Sequence, residues 1–485
     1  MTPQHSSMVV IAISLAFMVF GSGAVAAVPC SDLALDPYGG ATITSATLIP
    51  ADGTTPAYCK VIATAGKQTD IEVRLPDYWQ KRFLHIGGGG FDGTVPNLNA
   101  YATQLQQGYA LAASNGGHRV SEYPGATFGV DYTLTQDYAH VAIGTTVRVA
   151  KALIAAYYGE RPQYSYWSGC SNGGRGAFNA AAKYTLEYDG VVSAAPTRNL
   201  AGLISGWMRN LPASILTPAK ISAINAAMVA ACDNLDGLID GIISNPDACK
   251  FDPATIPGLT PAELDVVKTV LSDTKLSDGT LIYSKYGFGP LIWAWAYGVL
   301  GIGHVQWIVY RDPAYNPATW NLDNDFPDVV GVVEGAYDFS ADTDALVRFL
   351  NLGKKLIVWH GTDDTLLSHY DTIRTLEEVA SAAGGYGRTN MQLYTAPGVG
   401  HCSGGVGADK FDMISAITDW VEKGKAPGTL LASKVDSAGN VLFTRPLCEY
   451  PKFPYYIGGD PNSAASFSCK RPENRHGRYD KRDEK

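Results

Sequence analysis

The sequence predicts an α/β fold interrupted by a large insertion, and three observations predict it. Gly169-Cys-Ser-Asn-Gly173 is a G-x-S-x-G pentapeptide between the β-rich run 163–168 and the helix-friendly run 174–183. Two later apolar runs, 355–359 and 391–395, read as buried strands; they lead into His360-Gly-Thr-Asp-Asp364 and into Ala396-Pro-Gly-Val-Gly-His401. Between these regions, from about residue 197 to about 337, strand and helix stop alternating for longer than a connection within a sheet needs. Serine, then acid, then histidine, each following a strand, is the chain order of the α/β-hydrolase fold, with the middle stretch as an inserted lid domain.

The pentapeptide explains why its serine is reactive. A serine at a strand-to-helix turn sits on a strained, exposed backbone, and small residues two positions to either side let strand and helix approach closely. Ser171 is therefore the candidate nucleophile, and Ser171, Asp364 and His401 form a candidate Ser-His-Asp triad in which Asp363 is the neighbouring rival for the acid. Cys170 directly precedes the serine and Cys402 directly follows the histidine. If those two are bonded, their Cα atoms lie about 6 Å apart and hold the serine and histidine backbones as near neighbours.

With 46% hydrophobic and 17% charged residues, the chain is expected to be globular, with one big domain plus an insertion. A net charge of -9 argues against nucleic acid, which calls for a basic face. Residues 8–20 are an apolar run, and A-x-A follows at 24–26, so residues 1–26 read as a secretory signal peptide, although the segment before the run has His5 and no Lys or Arg. No later segment has eighteen uninterrupted apolar residues, so no membrane partner is expected after cleavage, and the mature chain is expected to be secreted, to the periplasm or outside the cell. Eight cysteines in an exported chain are expected in disulfides, though they allow 105 pairings. Proximity suggests Cys30 with Cys59, Cys232 with Cys249 and Cys448 with Cys469, and the absence of C-x-x-C pairs disfavours a zinc site.

Further elements follow in chain order. The runs 71–76 and 82–86 read as two strands leading into Gly87–Gly90, a loop pliant enough to aim a backbone N–H at a substrate oxygen. Residues 137–158 carry apolar side chains at three- and four-residue spacing, a long amphipathic helix before the nucleophile strand. His118, alone in a loop near the site, reads as structural. The catalytic domain is expected over 27–197 and 338–469, and the lid over 198–337. Inside the lid, Asp233, Asp236 and Asp240, interspersed with glycines and clipped by Cys232 and Cys249, could fold around a hard cation or stand as a solvated acidic turn. Aromatics gathered over 283–295 and at Trp307 could stack on an aromatic acyl group or form the lid's own core. The tail 470–485 has almost no apolar residues and is expected to be disordered.

Several of these segments together resemble one family: Gly87–Gly90, Gly169-Cys-Ser-Asn-Gly-Gly-Arg175, Cys232–Ile242, His360–Asp364, Gly400-His-Cys-Ser-Gly-Gly405 and Thr444-Arg-Pro-Leu-Cys448. They are similar to the tannase and feruloyl esterase family, which includes the terephthalate half-ester hydrolases, over nearly the whole mature length. The resemblance implies a secreted serine carboxylic ester hydrolase that cleaves aromatic (phenolic) acid esters, such as feruloyl or galloyl esters, through an acyl-enzyme. It selects Asp364 over Asp363, because the family's motif runs H-G-x-x-D, and it implies the backbone N–H groups of Gly90 and Asn172 as oxyanion donors. It also implies the three disulfides above together with Cys170 to Cys402. In the lid it implies a structural calcium ion, bound by Asp233, Asp236 and Asp240 and by the carbonyls of Leu238 and Ile242. No arginine is matched to the carboxylate-binding arginine of the terephthalate half-ester hydrolases, which disfavours that substrate without excluding it. The alternative readings are a terephthalate half-ester hydrolase, another serine hydrolase or acyltransferase on the same scaffold, and a non-catalytic calcium-bound binding protein.

Overall fold

A computed structural model describes residues 27–289, 296–385 and 390–472. The expected signal peptide and residues 473–485 of the expected tail lie outside the described residues.

Nine strands form one mixed sheet: β1 (Ala41–Ile49), β2 (Tyr58–Ala65), β3 (Thr69–Pro76), β4 (Arg82–Ile86), β5 (Tyr109–Ser114), β6 (Tyr164–Cys170), β7 (Gly190–Ala194), β8 (Lys355–Gly361) and β9 (Met391–Ala396). Their spatial order is β1-β2-β3-β5-β4-β6-β7-β8-β9. The first three strands pair antiparallel and β3 pairs antiparallel with β5, whereas every neighbour from β5 to β9 is parallel. Parallel strands covered on both faces are apolar throughout rather than alternating. Accordingly β5 and β7 are buried at every residue and β8 at all but its first, while the edge strand β1 starts with alternating buried and exposed residues.

Successive strand residues point to opposite faces, so the sheet has two cores. On one face Phe83, Trp167, Val191 and Leu356 pack against residues of α1 (Ala142–Tyr158), α2 (Asn172–Lys183), α7 (Thr343–Asn351) and α8 (His369–Ala382). On the other, Leu84, Tyr166, Val192 and Ile357 pack against Met413, Ile417 and Trp420 of α9 (Met413–Lys423). The helix expected over 137–158 is present: a π-helical turn, Asp137–Val141, leads directly into α1, which stops at Gly159 with φ 73 in the left-handed region.

Between β7 and β8 the chain leaves the sheet and builds α3 (Leu200–Arg209), α4 (Pro218–Cys232), α5 (Pro261–Val270) and α6 (Leu322–Val330), with a small two-stranded ribbon at 274–275 and 281–283. This insertion does not pack on itself alone. Its core of Trp207, Tyr283, Tyr297 and Val333 is continuous with Phe128 and Tyr138 from the segment before α1, and with Leu366 and Leu367 from the loop after β8. The chain ends in two antiparallel ribbons, β10 (Leu430–Val435) with β11 (Val441–Leu447) and β12 (Phe453–Tyr456) with β13 (Phe467–Lys470). Lys470 pairs with Phe453, so the folded chain runs one residue into the segment read from sequence as a disordered tail.

Candidate active site

The strand β6 ends at Cys170 and α2 begins at Asn172, which leaves Ser171 alone to turn the chain, with φ 62 and ψ −119. A non-glycine residue there is strained by about 1–3 kcal/mol and persists only where its surroundings over-determine it. The flanking glycines supply that constraint. A Cβ on Gly169 would lie 2.7 Å from the carbonyl of Gly173, and one on Gly173 would lie 2.6 Å from the carbonyl oxygen of Gly88. The Ser171 N–H donates to the Ala194 carbonyl at the end of β7 (3.0 Å), and its side chain lies on a half-buried surface.

Asp364 is fully buried in the loop after β8. Its Oδ1 accepts from the N–H groups of Leu366 and Leu367, both at 2.9 Å, and its Oδ2 lies 2.6 Å from His401 Nδ1 and 3.1 Å from His360 Nε2. A carboxylate only accepts, so Nδ1 of His401 carries the proton and Nε2 is left as the basic nitrogen. Burial alone would push the Asp364 carboxyl up. The charge of His401 and the hydrogen bonds from His360 and His401 outweigh it and hold the group well below the usual carboxylate range. Asp363 has other partners: it accepts from the Thr362 hydroxyl at 3.1 Å, and burial pushes its carboxyl up to about 7. Of the two rivals, Asp364 is the one that reaches the histidine.

Cys170 and Cys402 are bonded, with Cα atoms 5.9 Å apart across a sequence separation of 232. Ser171 and His401, each one residue from a bonded cysteine, are therefore held as backbone neighbours. The other three bonds join Cys30 to Cys59, Cys232 to Cys249 and Cys448 to Cys469, and no cysteine among the described residues is free.

The glycine loop leaves β4 and passes beside the start of α2, and Gly90 takes φ 58. Its carbonyl accepts from the Tyr138 hydroxyl at 2.8 Å. Asn172 is tied at both ends of its side chain: Nδ2 donates to Asp92 Oδ1 (2.9 Å) and Oδ1 accepts from Arg175 Nε (2.8 Å). Burial pushes the Asp92 carboxyl up to about 6, opposed by Asn172 and Arg175. Sequence reading did not single out Asp92, Tyr138, Arg175 or His360. Two of them stand inside matched motifs, Arg175 closing the nucleophile segment and His360 opening the acid loop. His118 is fully buried and stacked on Phe128 at 4.0 Å, and burial pulls its imidazole down to about 4.

The acidic loop of the lid folds around its own carboxylates. Asp233 accepts from the N–H groups of Asp240 (3.3 Å) and Gly241 (2.9 Å), Asp236 from Leu238 (3.1 Å) and Asp240 from Ile242 (3.1 Å). Burial pushes the Asp236 carboxyl up to about 6, and the like charges of Asp240 and Asp233 add to the shift. Arg445 of β11 donates to Asp240 Oδ2 at 2.6 Å. No three His, Cys, Asp or Glu side chains converge as a metal-holding cluster among the described residues, the three aspartates of this loop included. Of the lid aromatics, Tyr283 and Tyr286 are buried in the lid core and Trp307 is half-buried, while Trp293 and Trp295 lie outside the described residues.

The family model for tannase and feruloyl esterase matches residues 57–288 and 303–470. A probable feruloyl esterase of Arthroderma benhamiae is 31% identical, across 83% of this chain and 82% of its own. The mono(2-hydroxyethyl) terephthalate hydrolase of Piscinibacter sakaiensis is 28% identical, across 86% of this chain and 85% of its own. Among solved structures, feruloyl esterase B from Aspergillus oryzae aligns with a TM-score of 0.80 at 24% identity, covering 91% of this chain and 99% of that one. Tannin acyl hydrolase from Aspergillus niger aligns at 0.74 and 21% identity, covering 89% and 92%. Both structures carry the α/β-hydrolase fold.

The position of the Cys170–Cys402 bond makes it testable apart from the others. Replacing both cysteines with alanine is expected to lower ester turnover at least about tenfold, because misplacement by about 1 Å can cost 10²-fold. Chain entropy allows a stability loss of up to about 5 kcal/mol for so long a loop, so turnover is compared in samples shown to be folded by circular dichroism. Unchanged turnover in the folded double variant would refute the positioning role.

Proposed function

This chain belongs to the tannase and feruloyl esterase family, and we propose that it is a secreted serine esterase that cleaves esters of aromatic, phenolic acids, such as feruloyl or galloyl esters, through an acyl-enzyme. The observation that carries this reading is the 2.6 Å contact between His401 Nδ1 and Asp364 Oδ2, tethered beside Ser171 by the Cys170–Cys402 bond. Relatives named for feruloyl and terephthalate esters support an aromatic acyl group. Four disulfides support secretion, since such bonds persist in oxidising compartments.

Ser171 Oγ attacks the ester carbonyl while His401 Nε2 takes its proton. Asp364, itself immobilised by two backbone N–H groups, keeps His401 in the tautomer that leaves Nε2 basic and stabilises the imidazolium that forms. The N–H groups of Gly90 and Asn172 receive the oxyanion; one such donor is worth about 10²- to 10³-fold in rate. His401 then protonates the leaving alcohol, and water, activated in the same way, releases the acid from Ser171. A calcium ion at the lid loop would be held by Asp233, Asp236 and Asp240 and by the carbonyls of Leu238 and Ile242. When bound it would neutralise the carboxylates of this loop, and no chemical step runs through it.

A panel of methyl gallate, methyl ferulate, chlorogenate, a terephthalate half-ester and a short p-nitrophenyl ester decides the substrate class. Cleavage of a phenolic ester, abolished in Ser171→Ala, is expected. Preference for the half-ester would make the rival substrate the better reading, and no cleavage of any would overturn both. In the same assay Asp364→Asn is expected to lower kcat on the order of 10⁴-fold, and Asp363→Asn only a fewfold; the reverse pattern would exchange their roles. Chelation with EGTA is expected to lower the melting temperature of the wild type and to leave that of Asp236→Asn unchanged. A wild-type melting temperature indifferent to EGTA would exclude the ion.

A further inference from the structure

We propose that Arg175, Asp92 and Tyr138 are positioning residues that register both oxyanion donors from one buried assembly; this rests on the reading of Gly90 and Asn172 as those donors. The need for such a device is visible at Gly90. It has φ 58, and nothing lies within 4 Å of where its Cβ would be, so no packing at that position holds its conformation. Hydrogen bonds do so on both sides. The Asp92 N–H donates to the Gly89 carbonyl at 2.9 Å, and that carbonyl shares a peptide plane with the Gly90 N–H. The Tyr138 hydroxyl holds the next plane through the Gly90 carbonyl at 2.8 Å.

The second donor is tied to the same assembly. Asp92 Oδ1 and Arg175 Nε hold the two ends of the Asn172 amide, so the first residue of α2 cannot rotate away from the glycine loop. Arg175, 3% exposed, spends three of its four remaining donors on main-chain carbonyls: Nη1 on Ala139 (2.6 Å) and Phe339 (3.1 Å), Nη2 on Tyr138 (2.9 Å). It also lies against the rings of Tyr138 and Phe339, at 5.3 and 5.2 Å from their centroids. The guanidinium thus fixes Asn172 directly, and fixes Gly90 through the Tyr138 backbone and hydroxyl. A buried arginine is weak evidence for stability, because an apolar side chain of similar volume often serves a core as well. A planar fork bonded to several separate segments is instead suited to setting geometry.

Tyr138→Phe tests this with one atom: the ring keeps its packing on Phe128 and Phe339, and only the hydroxyl on Gly90 is lost. Expected is a fall in kcat of about tenfold or more, short of the roughly 10²- to 10³-fold of a missing donor, with KM within about twofold. Affinity for phenylboronic acid, whose tetrahedral adduct on Ser171 would place an oxygen between the donors, is expected to fall by the same factor. Asp92→Ala is expected to lose as much as Tyr138→Phe, and Asp92→Asn to recover most of the loss, since asparagine keeps an acceptor for Asn172 and tolerates φ 45 at this position. An unchanged kcat in Tyr138→Phe, or a fall in kcat with no loss of boronate affinity, would overturn the proposal while leaving the esterase reading intact. A Ser171→Ala variant that still hydrolyses esters would overturn the reading beneath it, and the proposal with it.

Discussion

Backbone lies against backbone at Gly173, and the arrangement around Ser171 depends on that closeness. With hydrogen in place of Cβ at Gly169 and Gly173, the first turn of α2 touches β6 on one side and the glycine loop on the other. The chain then has one residue in which to reverse from strand to helix, and Ser171 takes the strained conformation as a result. Relaxation is blocked from behind. Helix α2 buries Ala177, Phe178, Ala180 and Ala181 in the core, and the Trp167 indole donates to the Gly173 carbonyl at 3.0 Å. The same closeness sets the start of α2 against Gly87 and Gly88 of the glycine loop.

Buried charge around the site is managed by hydrogen bonds aimed at single atoms. Asp364 is surrounded by two backbone N–H groups and two imidazoles, and its carboxyl stays ionised in spite of burial. Asp363, one residue away with the Thr362 hydroxyl as its side-chain donor, is pushed in the opposite direction. Neighbouring carboxylates in one loop thus have opposed protonation behaviour, because burial disfavours charge unless donors are supplied. His360 bears on this contrast: its Nε2 faces two acceptors, Asp364 Oδ2 and the Leu367 carbonyl, both at 3.1 Å, so that nitrogen carries a proton toward the acid.

The insertion is joined to the catalytic body at the loops that matter for chemistry. Trp207 of α3 donates to the Leu366 carbonyl at 2.9 Å, in the loop that carries Asp364, and Phe91 beside Gly90 packs on His304 with ring centroids 4.9 Å apart. At the far side Arg445 of β11 reaches the acidic loop, so the C-terminal ribbons and the lid stabilise one another. Movement of the lid as a free flap would break the core that links Tyr297 and Val333 to Phe128, Tyr138 and Leu367.

Much of this was legible before any coordinates. The continuous apolar runs that became β8 and β9 are strands because parallel strands are covered on both faces, and the G-x-S-x-G turn is local, so spacing alone reveals it. The antiparallel strands β1 and β2 carry no continuous apolar run: the edge strand β1 starts with alternating buried and exposed residues, and β2, paired on both sides, places Lys60 and Thr64 among its buried residues. Arg175 and Tyr138 escaped notice for a different reason: an arginine in a glycine-rich helix start and a tyrosine in an amphipathic helix look like surface and core. The sequence by itself determined the order serine, acid, histidine, the elbow glycines and the chemical types at each position. The family motif already selects Asp364 over Asp363; tertiary structure decided that its Oδ2 meets His401 Nδ1 while two backbone N–H groups hold its Oδ1, and that one guanidinium ties Asn172 to Tyr138. Hydrogen-bond partners are selected by where distant segments converge, and neither periodicity nor spacing encodes that convergence.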